Sequence, residues 1–105
     1  MLPNTLTAIE EKAFWYSGIT AIDIPAGVRK IGRQAFSFCK ELVSVNLPAG
    51  EVTIERYAFL GCAQLSTLNL PTGWLEYGVF KDCPKLNQDI RSVLVEQFGE
   101  RVFGE

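Results

Sequence analysis

The sequence predicts a solenoid of about four coils, built of short parallel strands and tight 3₁₀ or helical turns, with a helix closing its C-terminal end. Three observations predict it. Pro3, Pro25, Pro48 and Pro71 are separated by 22, 23 and 23 residues. A small residue followed by Phe recurs in the same rhythm: Ala13-Phe14, Ala35-Phe36, Ala58-Phe59 and Val79-Phe80, with the Phe residues 22, 23 and 21 apart. Three residues after each Phe stands Ser17, Cys39, Cys62 or Cys83, and then an aliphatic residue, Ile19, Leu42, Leu65 or Leu86. One such unit cannot bury its apolar positions alone, but stacked units bury them against the same column in the next.

Each element of the coil follows from its residues. Three segments read Ile19-x-x-Ile22-x-Ile24-Pro25, Leu42-x-x-Val45-x-Leu47-Pro48 and Leu65-x-x-Leu68-x-Leu70-Pro71, and Leu2-Pro3 is the stub of a fourth. This Leu-x-x-Leu-x-Leu pattern, at a period within roughly 20–29 residues, is the signature of a leucine-rich repeat. It predicts a short strand with its aliphatics turned inward, Leu70 included. Pro ends the strand because it has no N–H to give. A second apolar pair comes next: Leu6 and Ile9, Val28 and Ile31, Val52 and Ile54. It predicts another extended stretch on a second side. In the last copy Leu75 aligns with Ile54, and Trp74 is expected to fill the shortened corner after Pro71. The Ala-Phe-x-x-Cys segment predicts the turn, with Ala allowing close approach and Phe filling the middle of the coil. Strands stack at roughly 4.7–4.9 Å, so four coils make a block about 20 Å deep.

The ends differ. Residues 1–86 read as the repeat array and residues 87–105 as a helical cap and tail. Ile90, Val93, Leu94 and Phe98 fall on one helical face, which predicts a helix over 89–98, started by Asp89 or Asn87 and ended by Gly99. Its expected role is to cover the last coil, with partner binding as the alternative. Met1-Leu2-Pro3 begins at the close of a strand. Leu6, Ile9 and Phe14 are expected to line an open coil there, covered by upstream repeats or by self-association with another copy.

Composition excludes several classes. Residues 1–86 carry eight basic and eight acidic side chains, and the net charge of −2 lies in residues 87–105. No basic footprint for nucleic acid or an anionic membrane is present. No apolar run is long enough for membrane insertion, and no signal peptide is expected in this chain. The absence of His removes the common His-dependent catalytic sets and most zinc sites. No phosphate-cradling Gly-rich loop occurs. The reading is therefore non-catalytic, with no cofactor and no metal. Cys39, Cys62 and Cys83 share one repeat column, which predicts a buried ladder of free thiols. Parallel side-chain vectors suit disulfides poorly.

What remains is surface. Two outward columns run across the predicted strands: Ala21, Ser44 and Thr67, and beside them Asp23, Asn46 and Asn69. They form either a binding stripe for a protein edge or glycan, or an ordinary solvated face. The second candidate is aromatic. Trp15, Tyr16, Phe38 and Leu60 occupy the two positions after each repeat Phe and are expected to lie together across the first three coils. Such a cluster is what interaction sites use, unless the rings fold back over the turn and pack locally.

Ile31-Gly32-Arg33-Gln34-Ala35-Phe36-Ser37-Phe38-Cys39, followed by Leu42, Val45, Leu47 and Pro48, resembles the BspA-like leucine-rich repeats. The resemblance covers about residues 2–86 and rests on the Ala-Phe-x-x-Cys turn. It implies an extracellular or cell-surface location on a bacterium and a non-catalytic binding or adhesion role toward a protein or glycan. Against that pattern the array is short and shows no export or anchoring signal, so a structural spacer or a piece of a longer solenoid fits as well.

Overall fold

A computed structural model describes residues 2–104. Met1, the first residue of the opening Leu-Pro segment, and Glu105, the last of the expected tail, lie outside the described residues. The chain winds as a solenoid with two parallel sheets on different sides. One sheet holds β1 (Ala8–Ile9), β3 (Lys30–Ile31), β5 (Glu51–Ile54) and β7 (Thr72–Leu75). The other holds β2 (Ala21–Asp23), β4 (Ser44–Asn46) and β6 (Thr67–Leu68). The post-proline segments are thus the second row of strands. Register follows the repeat: Ile22 pairs with Val45 and Val45 with Leu68, while Ile9, Ile31, Ile54 and Leu75 form one continuous row.

The turns join the sheets on the third side. In the second coil Ala35 N–H bonds Gly32 O, Ser37 N–H bonds Gln34 O, and Cys39 N–H bonds Phe36 O. These are successive tight turns rather than a helix, because two residues in each coil take a positive φ. One column is Lys12, Gln34, Tyr57 and Gly78; the other is Tyr16, Phe38, Gly61 and Asp82. The left-handed residues turn their amides along the solenoid axis. Gln34 N–H reaches Arg56 O, and Phe38 N–H reaches Leu60 O. The turn therefore stacks by its own backbone ladder, as the strands do.

The core is a column of rings. Phe14, Phe36, Phe59 and Phe80 stack nearly parallel, with centroids 5.1, 5.1 and 5.7 Å apart. Ala35, Ala58 and Val79 beside them are buried, as are the strand aliphatics Val45, Leu68, Ile31, Ile54 and Leu75. Gly32 fits where two coils approach closely: a Cβ there would lie 2.7 Å from backbone atoms of Glu10 and Glu11.

Three expectations need correction. Trp74 does not fill a corner. The chain enters β7 directly after the buried Pro71, and since Leu75 points inward, Trp74 points out and is exposed. Leu70 is 43% exposed, unlike Ile24 and Leu47. β6 stops at Leu68, and the Asn69 side chain, not its backbone, bonds Leu47, so the main chain leaves the ladder before Leu70. Ile9 is buried rather than lining an open end, while Leu6 and Phe14 are half-buried.

The helix α1 spans Gln88–Phe98, with Asn87 as its N-cap accepting from the amides of Asp89 and Ile90 and Gly99 as its C-cap. Leu94 is buried, and Ile90, Val95 and Phe98 pack against the core. Residues 100–103, within the segment read as cap and tail, also take regular structure. A 3₁₀ turn, Glu100–Phe103, rejoins the stack: Phe80 N–H bonds Val102 O, and Phe103 lies 6.0 Å from Phe80. Val102-Phe103 stands 23 residues after Val79-Phe80. The distance from Leu86 to Val102 is 16 residues, the same as from Leu42 to Ala58. Helix α1 occupies the arc that two strands fill in the earlier coils, and a fifth turn completes the coil.

Candidate functional site

The left-handed turn positions build the aromatic cluster. Tyr16 and Phe38 share a column in adjacent coils, tied by Tyr16 N–H to Ser37 O at 3.0 Å. Their rings stack at 5.1 Å. The next residue of the column is Gly61, where a Cβ would fall 2.6 Å from the Phe38 ring. The missing side chain lets Phe38 lie down over Gly61, which half-buries it. Trp15 meets the Tyr16 ring edge-on at 4.7 Å. The Lys12 ammonium stands 5.2 Å from the Trp15 ring centroid and that of Lys40 stands 6.0 Å from Tyr16.

Trp15 and Tyr16 remain 45% and 56% exposed. Local packing therefore accounts for Phe38 but leaves two large rings open. Leu60 is half-buried and sits in the Trp15 column, two coils on. Ser37 lies between them, fully buried and donating its hydroxyl to Tyr57 O at 2.7 Å.

The strand stripe is less uniform than its sequence. Ala21, Ser44 and Thr67 align across the sheet, and Asp23 aligns with Asn46. Asp23 and Asn46 are exposed. Asn69 is exposed too, but its amide is engaged: Oδ1 accepts from Leu47 N–H at 2.6 Å and Nδ2 donates to Leu47 O at 2.9 Å. It serves as a surrogate rung of the sheet, which leaves Asp23 and Asn46 as the groups of that column open to a ligand.

The cysteines form a buried ladder of free thiols. Cys39, Cys62 and Cys83 each donate Sγ–H to a carbonyl one coil back, that of Phe14, Phe36 and Phe59, each at 3.1 Å. Burial pushes the Cys39 thiol up to about 11 from its ordinary 9.0, helped by the nearby Cys62. The Cys62 thiol is pushed up as well, by its contact with Cys83 and then by burial. Thiols held protonated and covered in this way are poor nucleophiles and poor soft-metal ligands.

Two further surfaces escape the repeat columns. At the N-terminal end an apolar hollow of about 490 Å³ is lined by Leu2, Phe14, Ile19, Ala21, Ile22 and Asp23. On the face of the four-stranded sheet, Trp74 borders a cleft of about 450 Å³ with Arg29, Glu51, Val52, Thr53 and Gly73. The sequence held a signal for the second: Trp74 precedes the inward Leu75, so strand alternation sends it outward. Among the described residues no helix is long and apolar enough to cross a membrane. Nor do those residues hold a group of three or more His, Cys, Asp or Glu placed to bind a metal ion.

Two parallel sheets, three stacked Leu-x-x-Leu-x-Leu strands and a stacked turn define a leucine-rich-repeat solenoid. The family model for the BspA type Leucine rich repeat region matches residues 1–105, in six copies, and the chain belongs to that family. It is also similar to the solved structure entitled "Crystal structure of T. pallidum Leucine Rich Repeat protein (TpLRR)". That similarity has a TM-score of 0.83 and 32% identity, and covers 91% of this chain and 46% of that one. The chain thus spans less than half the length of that protein's chain. Among curated proteins, none matches the chain in sequence.

Proposed function

We propose that the chain is a non-catalytic binding module of a surface-exposed repeat protein, and that it meets a protein partner through Trp15, Tyr16 and Phe38. One observation carries this reading: Trp15 and Tyr16 hold large exposed areas while locked edge to face, flanked by Lys12 and Lys40. Rings ordered before binding lose little conformational entropy when a partner arrives, and such anchors dominate interface energetics. Asp23 and Asn46, on strands of the smaller sheet, are the polar groups available for a second contact. Family membership supports an extracellular setting.

Surface plasmon resonance with the immobilised domain against a panel of purified extracellular-matrix and bacterial surface proteins tests this. The reading expects saturable binding to a panel member, weakened at least about tenfold in a Trp15→Ser, Tyr16→Ser double variant of unchanged melting temperature. Equal binding by the variant, or no binding across the panel, would count against it. The second reading, a spacer within a longer solenoid, draws on the apolar hollow around Phe14, which a preceding coil would fill. It expects no binding in the same experiment.

A further inference from the structure

The cleft beside Trp74 lies on the larger sheet, where neither the aromatic cluster nor the strand stripe reaches. Its parts come from three coils. Arg29 precedes β3, Glu51 and Thr53 belong to β5, and Gly73 and Trp74 belong to β7. Trp74 pairs with Thr53 in the sheet register and is 55% exposed. The Arg101 guanidinium lies over the indole, 4.6 Å from the centroid. A cation on one ring face steadies the indole by cation–π attraction, and the exposed remainder of the ring is open to a ligand.

Gly73 lies in the floor beside the indole. Its φ of +112° and the closeness of a would-be Cβ to the Val52 backbone both demand glycine there. Glu51, Arg29 and Thr53 are the polar groups around the floor. Arg29 is steadied by a bond from Nη1 to its own neighbour's carbonyl, Val28 O, at 3.0 Å, and its other N–H groups are left to donate.

We propose that this cleft is a carbohydrate subsite that takes a neutral pyranose. A pyranose presents a face of C–H groups, which suits an indole face, and a rim of hydroxyls that both donate and accept. Glu51 accepts, Arg29 donates, and Thr53 does either, so adjacent hydroxyls find partners of both kinds. Within the lining Glu51 and Arg29 offset one another, and the Arg101 charge lies over the indole outside that lining, so the lining itself carries no net charge to draw an acidic ligand. A volume of about 450 Å³ suits one or two sugar rings rather than an extended peptide. The site is independent of the protein-binding reading above, and neither depends on the other.

Intrinsic fluorescence tests it on the whole chain, with a Trp15→Phe background so that Trp74 is the one reporter. The probes are maltotriose, cellotriose, mannotriose, lactose and chitotriose, with sialyllactose as the acidic comparison. The proposal expects a saturable change in Trp74 emission with at least one neutral probe, and weaker binding of sialyllactose than of lactose. By saturation-transfer NMR on the natural sequence, Trp74→Ala should abolish binding and Trp74→Phe should retain part of it. Glu51→Gln and Arg29→Ala should each weaken it several-fold at unchanged melting temperature. Absence of saturable binding to every neutral probe, or undiminished binding by a folded Trp74→Ala variant, overturns the proposal. Stronger binding of the acidic sugar overturns the claim of neutrality.

Discussion

Phe14 and Phe103 end the same stack of rings, yet their outer faces meet different surroundings. Phe103 is buried beneath Arg91, whose guanidinium carbon lies 4.0 Å from the ring centroid, and α1 crosses the same end with Leu94 in the core. Phe14 stacks on Phe36 and is otherwise open to a hollow lined by Leu2, Ile19 and Ile22. The interior rings, Phe36, Phe59 and Phe80, have a ring neighbour on each side. In a stacked array stability is a sum of coil and neighbour terms, so a coil with one neighbour is held less firmly than one with two. The array is therefore expected to be tight at its helical end and to loosen from its first coil.

The ring ladder gives the largest test of that contrast. Phe59→Ala removes a fully sandwiched ring and should cost about 3–5 kcal/mol, whereas Phe14→Ala, removing a half-buried ring, should cost about half as much. Urea denaturation of the two variants checks the order. Equal losses would mean that the first coil is as well packed as the third.

Alkaline titration comes next. The Cys39 thiol is raised in the fold from 9.0 to about 11, so the unfolded chain gives up this proton first. Stability from this group is intact below pH 9 and falls as pH rises from 9 toward 11, at up to about 1.4 kcal/mol per unit. A Cys39→Ser variant, matching the Ser17 of the first coil, should show a shallower alkaline fall in urea midpoint. An unchanged slope would remove the thiol from the account.

At the closed end, Asn87→Ala deletes the cap on two α1 amides and should cost about 1 kcal/mol. Arg91→Ala uncovers Phe103 and should cost about 0.5–1 kcal/mol. Both are read as shifts in thermal midpoint. If neither moves it, α1 does not secure that end.

How much of this can be read from the sequence depends on what fixes each feature. Columns set by side-chain identity are legible: the Phe ladder, the Cys ladder, both strand rows and the alignment of Leu75 with Ile54. The helix is legible from its apolar face and Gly99. Features set by backbone conformation are not. Nothing in Lys12, Tyr16, Gln34 or Phe38 announces a positive φ, since the turn imposes it through tertiary hydrogen bonds. Leu70 reads as core because its pattern implies a full-length strand, whereas the Asn69 amide displaces the backbone there. Trp74 misleads because a two-residue deletion suggests a gap to fill, while the chain closes the gap by starting β7 earlier. The fifth turn is present in the sequence as Val102-Phe103. It is hard to see because α1 breaks the strand pattern that otherwise leads into that turn. Of the candidate site, the Trp15–Tyr16–Phe38 grouping is given by repeat alignment. The half-burial of Phe38 depends on Gly61 making room for its ring, which the alignment does not announce.

Native-state hydrogen exchange measures the two ends in one experiment, because the turn amides of each coil bond the next coil in the same way. The account predicts that the amides of Lys12, Phe14 and Tyr16 exchange through a local opening well below the global unfolding free energy. Those of Phe36, Phe59 and Phe80 should exchange only near the global value. Protection that is uniform along the ladder, or weakest at Phe80, would contradict it.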